Sequence, residues 1–100
     1  MSLPIDPALV ATTDELPGYR ILQSFGLAEG FSVASYSGFT IKGQKDVLKD
    51  TLREAFVEMV ACAALRGANA VVGLRYAYPP GQGERVVIAY GTSVKVEKIG

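Results

Sequence analysis

One hundred residues allow a single domain with one modest core, because a chain of that length withdraws only about two thirds of its unfolded surface from water. Ten basic and ten acidic residues cancel, which leaves no long-range field to gather nucleic acid, a membrane surface or acidic substrates. One cysteine, Cys62, excludes an internal disulfide framework, no apolar run is long enough to cross a bilayer, and a reducing cytoplasm is the expected setting.

Residues 1–8 carry Pro4 and Pro7 and lack the basic-then-apolar order of a signal peptide, so a flexible tail is expected there, with a single domain over 9–100. Residues 9–13 (Leu-Val-Ala-Thr-Thr) are strand formers followed by the turn Asp14-Glu15-Leu16-Pro17-Gly18, which predicts a first hairpin arm. From Tyr19 to Ser35 apolar residues recur without helical spacing, broken by Gly26 and Gly30, as in one long bent strand or two short ones. Residues 36–44 have no clear period and are expected to form a loop.

The spacing predicts a helix over 45–66. Asp46 and the Thr51-x-x-Glu54 pair are alternative N-terminal caps, and Gly67 closes the C-terminus. Leu48, Leu52, Ala55, Phe56, Met59, Cys62 and Ala63 form a core-facing stripe, with Thr51, Glu54 and Glu58 towards water. Strands are expected over 70–78 and 85–98, joined by a Pro- and Gly-rich hairpin loop. Alternation places Val72, Leu74, Tyr76, Val86, Ile88 and Tyr90 under the helix. It leaves Val71, Gly73, Arg75, Ala77, Val87, Ala89, Gly91, Ser93 and Lys95 on the reverse face. The expected architecture is therefore α+β: one long helix on a mainly antiparallel sheet with a C-terminal β-hairpin.

Chemistry-bearing patterns are few. The chain has no histidine, which removes the usual general base near neutral pH and the usual activator of serine or cysteine. Glu54 and Glu58 stand four apart but read as a solvated helix face, and Cys62 on the core stripe reads as a small hydrophobe. Gly81-Gln82-Gly83 is too short for a nucleotide fingerprint and sits between strands. No catalytic residue, metal ligand or cofactor is assigned. A ligand-binding set of Arg75 and Lys95 for an anion, with Tyr76 and Tyr90 for a planar ring, is the reading for a small molecule at a subunit boundary.

Hydrophobic residues make up 49% of the chain, more than so small a core needs. A second helix strip (Val57, Val60, Ala64) and the gap expected where Gly73 and Gly91 face each other are the candidate subunit interface. The protein's main partner is then itself. Three roles follow in order: an oligomeric binding or scaffold domain, a small-ligand binder at a subunit interface, and, last, an enzyme.

Thr12-Thr13, Leu16-Pro17-Gly18-Tyr19-Arg20-Ile21, Gly26 and Gly30, Arg53-Glu54-Ala55, Gly67-Ala68-Asn69-Ala70-Val71-Val72-Gly73 and Gly91-Thr92-Ser93-Val94 together resemble the YbjQ-like family. The resemblance implies a dodecin-like α+β fold assembled as a ring, commonly a pentamer, in a bacterial cytoplasm. The family carries a heavy-metal-binding label without an established function, so it supplies no catalytic residues. The segment between Gly30 and the helix is shorter here than in typical members.

Overall fold

The computed structural model describes residues 3–35, 41–80 and 84–99. A short 3-10 turn, Pro7–Leu9, precedes strand β1 (Tyr19–Ser35), helix α1 (Ile41–Leu65), strand β2 (Ala70–Ala77) and strand β3 (Glu84–Lys98). The three strands form one antiparallel sheet in the order β1-β3-β2, so β3 is central and the C-terminal hairpin is present as expected. Residues 36–40 of the expected loop and the hairpin tip 81–83 lie outside the described residues.

Strand β1 is a single long strand, bent by register shifts that leave Leu22 and Phe25 without partners on β3. Beyond the second shift its inward residues are Ala28, Gly30, Ser32 and Ala34, all buried. Their smallness lets α1 settle directly on the strand. A Cβ added at Gly30 would lie 2.3 Å from the Met59 nitrogen and 2.5 Å from the Ala55 carbonyl oxygen. The helix packs on the sheet chiefly through β1.

The helix begins at Ile41, earlier than the sequence suggests, and neither expected cap is its start. Thr51 is buried inside the helix, where its hydroxyl donates to the Val47 carbonyl at 2.7 Å instead of facing water. The C-terminus closes as expected. Gly67 has φ +91°, the Gly67 amide donates to Ala64 (3.0 Å) and the Ala68 amide to Ala63 (3.2 Å), the paired bonds of a Schellman motif.

Relative to simple alternation the two sheet faces are exchanged along β3 and at Val71 and Val72, whereas Leu74 and Tyr76 lie under the helix as expected. Val71, Val87 and Ala89, expected on the reverse side, belong to the core beneath α1 with Ala55, Met59, Val60 and Ala63. Val86, Ile88 and Tyr90 point the other way. On β2, Gly73 (φ +67°) opens a bulge in which Gly73 and Leu74 together oppose Gly91. The extra residue reverses the alternation, so Val71, Leu74 and Tyr76 all join the helix-side core. The gap expected at the paired glycines is filled from within the chain, since a Cβ on Gly91 would meet Val71 Cγ1 at 2.7 Å.

Residues 9–13 do not form a hairpin arm. Asp6 caps the 3-10 turn by accepting from the Ala8 amide at 2.9 Å. The chain then runs along the free edge of β2, with Val10 bridged in parallel to Val71. Ala11 donates to Val71 (2.9 Å), Leu74 donates to Ala11 (2.9 Å) and Gly73 donates to Thr13 (2.8 Å). This segment roofs a second core of Leu16, Ala70, Val72, Val94 and Val96 on the outer face. It is not a loose tail from Leu3 onward, for Ile5 is buried and Leu3 packs on the helix-side core.

The result is elongated, 52 × 22 × 21 Å, with a radius of gyration of 15.1 Å where a compact chain of this length has about 13 Å. Gly30→Ala is expected to lower stability by roughly 1–3 kcal/mol, because its methyl group meets helix backbone that cannot rotate aside. Urea unfolding followed by circular dichroism checks this, and a variant as stable as wild type would contradict the close approach.

Candidate functional site

The exposed large side chains are concentrated on the outer face of β1. Leu27, Phe31 and Val33 are 52%, 59% and 51% exposed, and they stand opposite Thr92, Ile88 and Val86 of β3. Tyr90, also exposed, lies between Glu29 on β1 and Arg75 on β2 in one row across the three strands. The N-terminal segment covers the other end of this face, over Val94 and Val96, and stops short of these residues. The site is thus an apolar sheet face with one charged residue at either end of its middle row.

The residues expected to hold a small ligand are not gathered in one place. Arg75 and Tyr90 are register partners and share the outer face. Tyr76 pairs with Ala89 and packs against the helix-side core. Burial, and then the neighbouring Tyr78, raise the Tyr76 phenol above its ordinary value. Lys95 pairs with Gln23 between the two β1 register shifts, on the side of β3 that Ser93 also occupies. The Gly73 bulge separates the two cations, because it turns Arg75 to the face opposite Lys95. Arg75 is also engaged, donating through Nη1 to the carbonyls of Thr12 and Leu74.

The expected interface residues divide as well. Val57 is exposed and Ala64 half-buried, but Val60 is 0% exposed within its own chain, packed in the core that the N-terminal segment helps to close. Gly91 is likewise buried, and Gly73 faces Asp14 of the same chain. Phe31, a large apolar residue of β1, is on the surface. The signal for it was present in the small-residue alternation Ala28, Gly30, Ser32, Ala34, which marks the opposite side of β1 as the one a helix can approach.

Other polar groups have structural work. The Asn69 side chain donates to the Val96 carbonyl (3.0 Å) and accepts from the Val96 amide (2.8 Å), extending the β2 ladder by one side-chain rung. Its place between the helix-closing glycine and β2 was the available clue. Ser32 donates to Glu54 at 2.6 Å, tying β1 to α1. Cys62 is half-buried. Among the described residues no three or more Cys, Asp or Glu converge as metal donors, and the chain has no imidazole. This donor set does not fit a tightly held soft metal within one subunit. A shallow depression of about 480 Å³ lies at the far end of the sheet, lined by residues including Leu16, Tyr19, Ile21 and Ile99.

Comparison with known proteins agrees with this architecture. Residues 32–97 match the YbjQ family, described as "Putative heavy-metal-binding". A UPF0145 protein of Lactococcus lactis subsp. cremoris is 33% identical over 108 residues, covering 95% of this chain and all of the relative. A UPF0145 protein of Thermotoga maritima is 33% identical, with 91% and 99% of the two chains covered. A crystal structure of a Pediococcus pentosaceus protein with unknown function superposes with a TM-score of 0.70 at 20% identity, over 88% of this chain and 96% of that one. At that identity the likeness shows the fold.

Asn69→Ala should cost roughly 1–3 kcal/mol, since both polar groups of Val96 lose their partner. Denaturant midpoints compared with Asn69→Asp, which keeps the accepting half, measure it. Tyr76 should titrate above the ordinary tyrosine value in phenolate absorbance. Because the folded-state value is raised, its contribution to stability is present below the ordinary value of 10.0 and is lost as pH rises through the folded value. Tyr76→Phe should remove that alkaline component of the pH–stability curve.

Proposed function

The chain belongs to the YbjQ family, and on that footing we propose that it is a non-catalytic binding or scaffold module that works as a closed homo-oligomer. The observation that carries this reading is the uncovered apolar sheet face at Leu27, Phe31 and Val33. The accessible surface supports it. A compact monomer of this size exposes about 5,500 Å², whereas this chain exposes 6520 Å². An elongated two-layer unit with that surplus gains most by covering it with another copy. At about 25 cal/mol per Å², a few hundred Å² of apolar contact supplies several kcal/mol before the cost of ordering. Net charge near zero adds no repulsion. Five subunits is the count that the family resemblance implies, and a bacterial cytoplasm is the setting it implies.

A second reading, a planar or anionic small molecule held at a subunit boundary, draws on Arg75 and Tyr90 standing side by side on the open face. Catalysis ranks last, because the chain has no imidazole and, among the described residues, no group of three or more Cys, Asp or Glu converges.

Native mass spectrometry and light scattering on the untagged protein at micromolar concentration test the assembly; a monodisperse single chain sinks it. Phe31→Glu should dissociate the assembly with helix content intact. Val60→Glu should instead unfold the subunit, because Val60 is enclosed by its own chain. The heavy-metal description is checked by elemental analysis of chelator-free preparations. Substoichiometric zinc, copper and cadmium are expected, and stoichiometric metal lost in Cys62→Ser would overturn that expectation.

A further inference from the structure

The depression at the far end of the sheet is built from fixed parts. Leu16-Pro17-Gly18-Tyr19 forms a tight turn closed by the Tyr19 amide donating to the Leu16 carbonyl at 3.0 Å, with Pro17 and then Gly18 (φ +84°) in the order of a type II turn. Its neighbours hold it on both sides. The Thr13 hydroxyl donates to the Glu15 carbonyl at 2.6 Å, and the Ile99 amide donates to the Gly18 carbonyl at 2.9 Å, which ties the turn to the end of β3. Leu16 is buried beneath the turn, and Tyr19 packs on the same second core. A rim tied in this way needs little ordering when a ligand arrives.

A volume of about 480 Å³ is within the range of small-molecule sites, and Leu16, Pro17, Tyr19, Ile21 and Ile99 make the lining mainly apolar. Its polar groups are unequal. The amides of Tyr19 and Ile99 are spent within the chain, Pro17 has none, and Arg20, which also lines the depression, is ion-paired with Glu97. Glu15 in the same lining is exposed, and its carboxylate has no ion pair among the described residues. A negatively charged acceptor beside an aromatic ring is therefore what the depression offers a ligand, and its complement is an ammonium group. Lys98, the register partner of Tyr19, stands at the margin of the same face and tempers the attraction. We infer that this depression is a binding site for a small organic cation, a primary ammonium on an apolar body, with Glu15 meeting the charge and Leu16, Ile21 and Ile99 the body. The site is complete within one chain, so it stands apart from assembly and from the Arg75 and Tyr90 patch.

The test is titration of the isotope-labelled protein, followed by amide NMR, with phenethylamine, which is cationic at neutral pH. Phenethyl alcohol serves as its neutral analogue and hydrocinnamate as its anionic one. Shifts should centre on the amides of Glu15, Gly18, Tyr19, Ile21 and Ile99, and the amine should bind about threefold or more tighter than the alcohol, with the anion weakest. Glu15→Gln should bring the amine down to the alcohol, whereas Lys98→Gln should strengthen the amine about twofold by removing a like charge. Both positions are exposed, so the fold should be kept, as an otherwise unchanged amide spectrum will show. Equal binding by all three probes, or an amine indifferent to Glu15→Gln, would overturn the cation site. Shifts centred elsewhere, or none at millimolar amine, would overturn it as well, and each of these results would leave the self-assembly reading standing.

Discussion

The close approach of α1 to β1 at Gly30 is the constraint from which the remaining architecture follows. With the Met59 nitrogen and Ala55 oxygen lying where a Cβ would be, no side chain fits between helix and strand at that point. The inward positions around it are accordingly small, and the core gains its density from alanines, valines and Met59 instead of aromatic rings. Large residues of β1 are displaced to the opposite face by the two-residue period of the strand. Shape, more than hydrophobicity, decides which apolar residues of this chain are inside.

A second device adjusts the pattern that the first imposes. The bulge at Gly73 inserts one residue into β2 and reverses its alternation, so Leu74 and Tyr76 turn into the helix-side core and Arg75 turns out. The same stretch of β2 receives the N-terminal segment. The amides of Gly73 and Leu74 donate to it, and the outward Arg75 donates to Thr12. A free sheet edge is thereby covered by the chain itself, which guards it against unwanted pairing. The covering segment also closes the second core, over Val94 and Val96.

Strands of 17 and 15 residues make the molecule long, and a small elongated unit cannot bury all of its apolar residues. The faces left open carry few charges, so desolvating them in a contact is inexpensive. This gives a physical basis for association in a chain several of whose charged groups are engaged in structure: Glu54 with Ser32, Arg20 with Glu97, Arg66 with the Phe25 carbonyl. Among the described residues the family's heavy-metal description finds no matching donor set within the subunit.

By itself the sequence determined the element order from Tyr19 onward, the helix C-terminus and the C-terminal hairpin, because each depends on local chemistry: Gly67 adopting positive φ, helical spacing over the core stripe, and strand formers flanking a Pro-Gly loop. The motif from Gly67 to Gly73 also pointed to the family. It did not determine the helix start, where Thr51 and Glu54 imitate a capping box but lie well inside the helix. Nor did it determine which face of the sheet lies under the helix. That choice rests on contacts between residues far apart in the chain, Gly30 with Met59 and Gly91 with Val71, and on a bulge that only cross-strand register reveals. A period of two offers two phases of nearly equal hydrophobicity here, and tertiary packing selected the one whose small residues allow a helix to come close.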